Sequence, residues 1–325
     1  MGKSKRSNHS KSIRKRGVVE FAVAKVGFLG AGKIVEALIT GLVKYGKVDP
    51  TRIICSAPTT NNSDRLKNTF SGMKTTKRNI DVFDRFDSDI VFMAVNGTVI
   101  RNLYKLGGSR PAPITTNYIA VVKHPVYICS LIPSFTLNII REILLNPDNP
   151  EKYMVEMHRI ALNCAVAQGL GICAVDVEPD SKKLSEPLRI MLTSITKHME
   201  YIPEVQMDSA QALIGPSLAF CYSFINDISL GGVKIGLNRA LSIKLSTKAV
   251  CCASATLLET GKHPNDLRDE VCAPSGGGIY ATTVLDKCDV YSAISGAVEA
   301  AYKRAESFAK DDNPDNAQFV KKKAN

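Results

Sequence analysis

The sequence lacks the long, uninterrupted apolar segments of membrane-spanning proteins, and its N-terminus lacks the apolar core of a secretory signal. We therefore expect no membrane partner. Metal-binding spacings are also missing, since the nine cysteines form no C-x-x-C pair and the five histidines are scattered. We expect no metal site, and we interpret the cysteines as buried, reduced thiols of an intracellular protein.

Acidic residues are absent from residues 1–19, which carry seven lysines and arginines, and three more lysines lie in residues 321–325. Removing these ten charges from the net +11 leaves +1 for residues 20–320, which argues against nucleic acid as a partner of the folded body. We interpret residues 1–20 and 311–325 as solvated, disordered tails, with a nuclear or nucleic-acid-binding patch as the alternative. The expected location is cytoplasmic, and a mitochondrial presequence is the alternative.

Strand-like and helix-like patterns alternate through the first part of the chain. Apolar runs at 25–31, 52–57, 88–95 and 124–132 are typical of buried strands, and Ser63 is expected to cap the helix after the second run. This alternation predicts an α/β fold with a doubly wound parallel sheet over residues 21–205. Long helical patterns then predict an all-helical domain over residues 206–310, with helices at 208–230, 237–260, 278–286 and 290–309.

The segment "KVGFLGAGKIVEAL" (25–38) reads as a strand, a glycine turn and an amphipathic helix. Gly30 permits a tight turn, and Gly32 lets a phosphate approach the unpaired amides at the helix start. This arrangement predicts a Rossmann-type dinucleotide site, and the alternative is an ordinary glycine-rich turn. Val35 stands where a small residue is usual, so we expect a slightly displaced helix with binding retained.

The second predicted strand ends without Asp or Glu, which would bind the ribose hydroxyls of NAD and repel a 2′-phosphate. The side chains there offer hydroxyl groups and one amide, and an arginine follows shortly after: Ser56, Thr59, Thr60, Asn61 and Arg65. This composition favours NADP, with NAD as a possible second cofactor; the alternative is a polar turn without a ligand.

Several segments together resemble the pyrroline-5-carboxylate reductases, which catalyse the last reduction of proline biosynthesis. The resemblance spans about residues 24–308. Its motifs are "VGFLGAGKI" (26–34), "SDIVFMAV" (88–95), "LGGVKIGLNRALSIKLSTKAV" (230–250), "GKHPNDLRDEVCAPSGGGIYATTVLD" (261–286) and "GAVEAAYKRAESF" (296–308).

This resemblance implies a Rossmann domain followed by an all-α dimerisation domain, in a homodimer or a higher oligomer. It implies an NAD(P)H-dependent oxidoreductase that reduces 1-pyrroline-5-carboxylate, a cyclic imino acid, to L-proline. The cofactor contacts implied by position are Gly30, Gly32, Lys33, Ile34, Ser56, Asn79, Ala94 and Val95. The implied substrate contacts are Val271, Pro274, Ser275, Gly276, Gly277, Gly278 and Thr282.

Hydride transfer to a protonated imine needs alignment, exclusion of water and a carboxylate site rather than an acid–base pair, so no catalytic residue is assigned. His263 is interpreted as the start of a helix rather than an acid. Five segments depart from the family pattern, and Gly278 stands where the family has a threonine. An inactive relative that keeps the fold, and a reductase of another cyclic imino acid, therefore remain alternatives. The departing segments are 94–97, 130–134, 161–165, 214–220 and 273–278.

Overall fold

The computed structural model describes residues 24–58, 60–97, 124–144, 155–177 and 184–307. The predicted tails and Thr59 lie outside these ranges. By their contacts, the described residues up to Gly215 form one compact unit with Tyr302–Ser307, and Pro216–Ala301 form a second unit. The boundary near residue 206 stays a prediction.

The first unit is built on one eight-stranded sheet. Its strands are β1 Val26–Leu29, β2 Ile53–Ser56, β3 Lys74–Thr76, β4 Ile90–Met93, β5 Val126–Ser130, β6 Val155–Leu162, β7 Gly171–Val175 and β8 Thr196–Tyr201. The order across the sheet is β3-β2-β1-β4-β5-β6-β7-β8. Neighbouring strands are parallel except β6 and β7, which are antiparallel. The predicted doubly wound sheet is confirmed.

Every residue of the central strands β1 and β4 is buried, as their continuous apolar sequence requires. The rings of Phe28 and Phe92 stack at 5.3 Å between centroids, which ties the two strands together on one face. That face is covered by α1 (Lys33–Lys44) and α5 (Glu186–Ile195), whereas α3 (Ile80–Phe83) and α4 (Leu137–Leu144) cover the other. The helix α2 (Thr60–Thr69) follows β2.

The predicted cap at Ser63 is wrong, because α2 begins at Thr60 and Ser63 is buried inside it. A serine three residues into a helix cannot supply its first cap. The helix α1 agrees better with the sequence pattern. Leu38 and Leu42 are fully buried on its inner face, and Val35 is also fully buried in the core. The core therefore accommodates the branched side chain of Val35, and the slight displacement of the helix stays a prediction.

The C-terminal part consists of helices: α6 Met207–Lys234, α7 Arg239–Thr260, α8 Pro264–Val271, α9 Gly277–Lys287 and α10 Val290–Ser307. The helix α8 is not among the four helical patterns, although His263 was expected to begin a helix. The interpretation of His263 is confirmed, since its side chain accepts a hydrogen bond from the Asn265 amide and Pro264 opens the helix.

Two helical segments, Glu204–Lys234 and Arg239–Thr260, are long and apolar enough to cross a membrane by length and composition. The expectation that no segment reaches this length is therefore wrong by this measure. Only 11 % of each apolar window is buried inside the chain. An apolar helix that is exposed in one chain needs a further covering, which either a lipid bilayer or another protein surface supplies.

The prediction of buried cysteines is wrong for most of them. Cys55, Cys129 and Cys173 are buried, and Cys272 is half-buried. Burial raises the pKa of the Cys55 thiol to about 11, which keeps it protonated and unreactive. The remaining five are exposed in the single chain: Cys164, Cys221, Cys251, Cys252 and Cys288. Apolar surroundings in the sequence therefore did not indicate burial, because much of the apolar surface of the helical part is exposed.

Candidate functional site

The turn after β1 requires glycine at its first position. Gly30 has φ +116°, a conformation that L side chains rarely adopt. A Cβ atom there would lie 2.6 Å from the carbonyl oxygen of Ala94, too close for any side chain. The Gly30 amide donates to the Ser56 carbonyl at 2.8 Å. The turn is thus fixed between the ends of β2 and β4.

Gly32 leaves the start of α1 open. It is the N-cap residue, and no side chain caps the helix there. The first amide bonded within the helix is that of Glu36, which donates to the Gly32 carbonyl at 3.1 Å. A Cβ atom at Gly32 would meet nothing within 4 Å. The amides of the first turn therefore point, without intrahelical partners, toward space that an anion could fill.

The predicted contacts Ala94 and Val95 lie beside this turn. They directly follow β4, which pairs with β1, and the Ala94 amide donates to the Leu29 carbonyl at 2.9 Å. In the sheet, β2 and β4 lie on opposite sides of β1, so the strand order reverses at β1. Dinucleotides bind at the carboxyl ends of strands at such a point. The structure brings Gly30, Gly32, Ala94 and Val95 together there.

The end of β2 carries a polar pair in place of the missing acid. Ser56 is buried, and its hydroxyl donates to Asn79 Oδ1 at 2.6 Å. This bond fixes the side-chain amide of Asn79, which stands at the start of α3, with Oδ1 already engaged. The Asn79 Nδ2 group is left as a donor for a ligand at this position. Ser56 thus orients Asn79 rather than presenting its own hydroxyl to solvent.

Arg65 has a partner that sequence reasoning missed. Its Nη2 lies 3.0 Å from Glu36 Oε2 in the first turn of α1, and Lys33 Nζ lies 3.3 Å from the same oxygen. Two cations thus compensate the one carboxylate beside the open helix start. An acid three residues into a helix is a common signal of its N-terminus. The spacing of Lys33 and Glu36 could therefore have indicated this pair.

The predicted substrate contacts lie in the second unit, around the start of α9. The chain leaves α8 at Val271 and passes Pro274, and Ser275 adopts a left-handed φ of +59°. Gly276 is the N-cap, and no side chain caps the helix. Gly277 and Gly278 form its first two positions. The loop therefore has the shape of an anion-binding helix start.

The threonine hydroxyls near this loop form hydrogen bonds with backbone carbonyls of their own helix. The Thr282 hydroxyl contacts the carbonyls of Gly278 and Ile279, both at 3.1 Å, and that of Thr283 donates to Ile279 at 2.7 Å. A Cβ atom at Gly278 would lie 3.3 Å from Cys272 Sγ, so a side chain there requires the sulfur to move by a few tenths of an ångström. That Thr282 supplies the hydroxyl that Gly278 lacks stays a prediction, because the helix backbone competes for the Thr282 hydroxyl.

One buried titratable cluster lies away from the glycine turn, on β6, three strands along the sheet from β1. His158 Nδ1 lies 2.9 Å from Asp176 Oδ1, and His158 Nε2 lies 3.1 Å from Glu156 Oε1. Burial acts to lower the pKa of His158, but bonds and charges of the two carboxylates outweigh it and raise the pKa to about 9. Burial likewise acts to raise the pKa of Glu156, yet bonds with His158 and the Ser185 amide lower it. The imidazole of His158 and the two carboxylates therefore form a buried network of ion pairs.

Among the residues that the structure describes, no group of three His, Cys, Asp or Glu side chains could hold a metal ion. The polar groups that converge on the first unit's crevice are backbone amides, one side-chain amide and two cations that pair with Glu36. Such a set suits phosphate and ribose groups. The fold and this crevice define a Rossmann-type, dinucleotide-binding oxidoreductase domain joined to a helical unit.

Comparisons with known proteins refine this class. The sequence model described as "Pyrroline-5-carboxylate reductase dimerisation" matches residues 204–308, and that described as "NADP oxidoreductase coenzyme F420-dependent" matches residues 25–113. Pyrroline-5-carboxylate reductase 3 of Danio rerio is 30 % identical over 281 residues, covering 86 % of this chain and 90 % of the relative. Pyrroline-5-carboxylate reductase 1 of Bacillus subtilis is 29 % identical over 293 residues, covering 90 % and 91 %. The chain belongs to the pyrroline-5-carboxylate reductase family.

Solved structures agree on the fold. The pyrroline-5-carboxylate reductase of Streptococcus pyogenes has a TM-score of 0.69 at 21 % identity, with 87 % of this chain and 98 % of that chain covered. The Plasmodium falciparum pyrroline carboxylate reductase, solved with NADP bound, has a TM-score of 0.68 at 19 % identity and covers 88 % and 98 %. The resemblance that the sequence motifs indicated is confirmed.

Proposed function

We propose that the protein reduces 1-pyrroline-5-carboxylate to L-proline, with NADPH as the hydride donor. The observation that carries this proposal is the open helix start at Gly32, placed at the reversal of strand order in a chain of this family. The amides there fit a pyrophosphate because they lack partners and the helix dipole favours negative charge.

Different residues of the first unit would bind different parts of the cofactor. The first-turn amides from Lys33 onward would hold the pyrophosphate, and Asn79 would donate to the adenosine ribose or its phosphate. Ala94 and Val95 would line the nicotinamide half. NADPH, when bound, supplies the hydride; the chain binds it, orients it and excludes water.

We assign NADP rather than NAD as the preferred cofactor. The end of β2 carries Ser56 and Ala57 in place of an acid, so nothing there repels a 2′-phosphate. The Nδ2 group of Asn79 would donate to either a hydroxyl or a phosphate oxygen. The ion pair with Glu36 holds Arg65 near this position. If the Arg65 guanidinium exchanged Glu36 for the 2′-phosphate, this charge-assisted contact would strengthen NADP binding further.

The helical part would form a homodimer through its exposed apolar surface. Large side chains such as Tyr222, Phe224 and Leu245 are exposed in the single chain, and their segment matches the dimerisation model. A second copy of the chain would bury this surface and account for the two membrane-length helices without a bilayer. The interaction would be apolar over most of its area, as in obligate dimers.

The substrate class follows from the loop at the start of α9. A carboxylate would accept hydrogen bonds from the glycine amides there, and the imine would need no protein acid if it enters protonated. The test is turnover with a panel of cyclic imino acids, using NADPH and NADH, beside calorimetric binding of each cofactor. We expect turnover of 1-pyrroline-5-carboxylate with NADPH preferred; binding of neither cofactor would reject the proposal.

A second candidate is a family member that binds the cofactor but does not turn over the imine. Gly278, which offers no hydroxyl, is the observation in its favour. This candidate predicts a thermal shift with NADPH and no oxidation of NADPH by the imine. Substrate-dependent oxidation by the wild-type protein would dismiss it.

A further inference from the structure

The loop that follows β5, Leu131–Thr136, is the starting point, and we call it the β5 loop. It leaves the sheet at the carboxyl edge, where the registers align Leu29, Met93, Ser130 and Arg159 in one row. The Leu131 amide donates to the Met93 carbonyl at 2.9 Å, so the loop begins next to Ala94 and Val95. It therefore borders the same crevice as the glycine turn.

The position of the crevice fixes which half of a dinucleotide this loop would meet. A bound dinucleotide places one nucleotide on each side of the point where the strand order reverses. The polar pair Ser56 and Asn79 lies on the β2 side, which suits the adenosine half. The other side is formed by β4 and β5, so the nicotinamide half would lie against the β5 loop.

Three polar side chains from the segment that enters α6 bind this loop. Glu204, Asp208 and Gln211 are spaced by four and three residues, which places them on one helix face. Glu204 Oε1 accepts from the Leu137 amide at 2.6 Å, and Asp208 Oδ1 accepts from the Ser134 amide at 2.9 Å. Gln211 Nε2 donates to the Leu131 carbonyl at 3.0 Å. The loop is thus held at its start and its middle, and α4, which follows it, is held at its first residue.

Arg159 on β6 makes this arrangement electrostatically possible. Its side chain is only 3 % exposed, and its guanidinium binds Asp208 Oδ1 and lies 3.8 Å from Glu204 Oε1. A buried guanidinium needs a paired charge, and partly buried carboxylates need a cation. Arg159 therefore compensates the charges of Asp208 and Glu204, and Asp208 also accepts a hydrogen bond from the middle of the loop, at Ser134.

The loop itself needs such an anchor, because Ser134 adopts a left-handed φ of +62°. This conformation is unfavourable for a serine, whereas glycine adopts it without a penalty. The hydrogen bond from the Ser134 amide to Asp208 holds the backbone in this state. An interaction with a residue outside the loop therefore stabilises the loop conformation.

From these contacts we infer that Asp208, charge-compensated by Arg159, is a positioning residue that fixes the β5 loop for the nicotinamide half of the cofactor. The inference rests on the proposed function for the identity of the ligand. It assigns to the start of α6 a role in cofactor geometry that is separate from the apolar surface farther along that helix.

The test compares two ligands on the full-length Asp208→Asn variant. NADPH spans the crevice, whereas adenosine 2′,5′-bisphosphate occupies only the adenosine side. We expect NADPH affinity to fall about tenfold or more, because a charge-assisted bond is lost, and adenosine 2′,5′-bisphosphate affinity to change less than about twofold. The control Glu186→Gln, which breaks an exposed pair with Arg189, should change neither affinity.

A rescue variant separates positioning from general destabilisation. Ser134→Gly removes the penalty of the left-handed conformation, so Ser134→Gly/Asp208→Asn should recover most of the lost NADPH affinity. If Asp208→Asn does not fold, Gln211→Met removes one bond to the loop without leaving a charge unpaired. It should then weaken NADPH binding alone, by about threefold.

Equal loss of both ligands in a folded variant, or unchanged NADPH affinity, would overturn the inference. Wild-type protein that binds NADPH but does not reduce the imine would reject the proposed reaction, and the comparison of the two ligands would still decide the role of Asp208. Wild-type protein that binds neither ligand would overturn both.

Discussion

Replacing Gly32 by alanine should weaken cofactor binding by at least about tenfold while leaving the fold intact. The backbone of Gly32 has φ −77° and ψ −175°, which alanine adopts without strain, and the added Cβ would meet nothing within 4 Å. Alanine is a poorer N-cap than glycine, but it also restricts the unfolded chain. These two effects oppose each other, so we expect the free energy of unfolding to change by less than about 1 kcal/mol.

The same methyl group would stand in the space where a pyrophosphate approaches the first-turn amides. Losing at least one charge-assisted hydrogen bond costs about 1.5 to 3 kcal/mol, or roughly 10- to 150-fold in affinity. Calorimetric titration with NADPH measures this loss, and urea unfolding measures stability. Lys44→Ala, at the exposed far end of the same helix, is the matched control and should leave NADPH affinity unchanged.

Gly30→Ala gives the contrasting result, because its Cβ would clash with the Ala94 carbonyl and its φ is forbidden to alanine. We expect that variant to lose stability as well as binding. If Gly32→Ala binds NADPH as tightly as the wild type, the pyrophosphate does not lie on this turn and the reasoning is refuted.

Three further predictions follow from other parts of the molecule. Because the pKa of His158 is raised to about 9 from 6.5, its stabilising effect is complete below pH 6.5 and is lost as the pH rises through 9. Relative to His158→Gln, wild type should lose about 2 to 3 kcal/mol of unfolding free energy over this range; parallel pH profiles would contradict this. Gly278→Thr should raise kcat/KM for the imine and Gly278→Val, of the same shape, should not; equal effects would exclude a role for the hydroxyl. Phe224→Asp should convert the dimer to monomers in sedimentation analysis, and a monomeric wild type would refute the proposed interface.

The sequence predicted those features that local chemistry determines. The glycine turn, the buried strands β1 and β4 and the helix start at His263 each depend on a few adjacent residues, and each was found where it was predicted. Gly30 is the clearest case, since only glycine can take its conformation beside Ala94. The family motifs then extended the interpretation to the helical part, where composition alone showed only helices.

Features that depend on partners distant in sequence were not predictable in the same way. Asp208 contacts Arg159 and Ser134 across 49 and 74 residues, and no local pattern links them. The pairing of His158 with Asp176 similarly follows from the antiparallel register of β6 and β7. The exposure of the cysteines in the helical part was missed because an apolar sequence does not tell whether its own chain or another surface covers it.

The most direct test of the central claim is the stoichiometry of the reaction. Purified protein is incubated with NADPH and 1-pyrroline-5-carboxylate, and both the NADPH consumed and the L-proline formed are quantified. The account predicts one L-proline for each NADPH oxidised, and no oxidation when the imine is omitted. Folded protein that binds NADPH but forms no L-proline would contradict it.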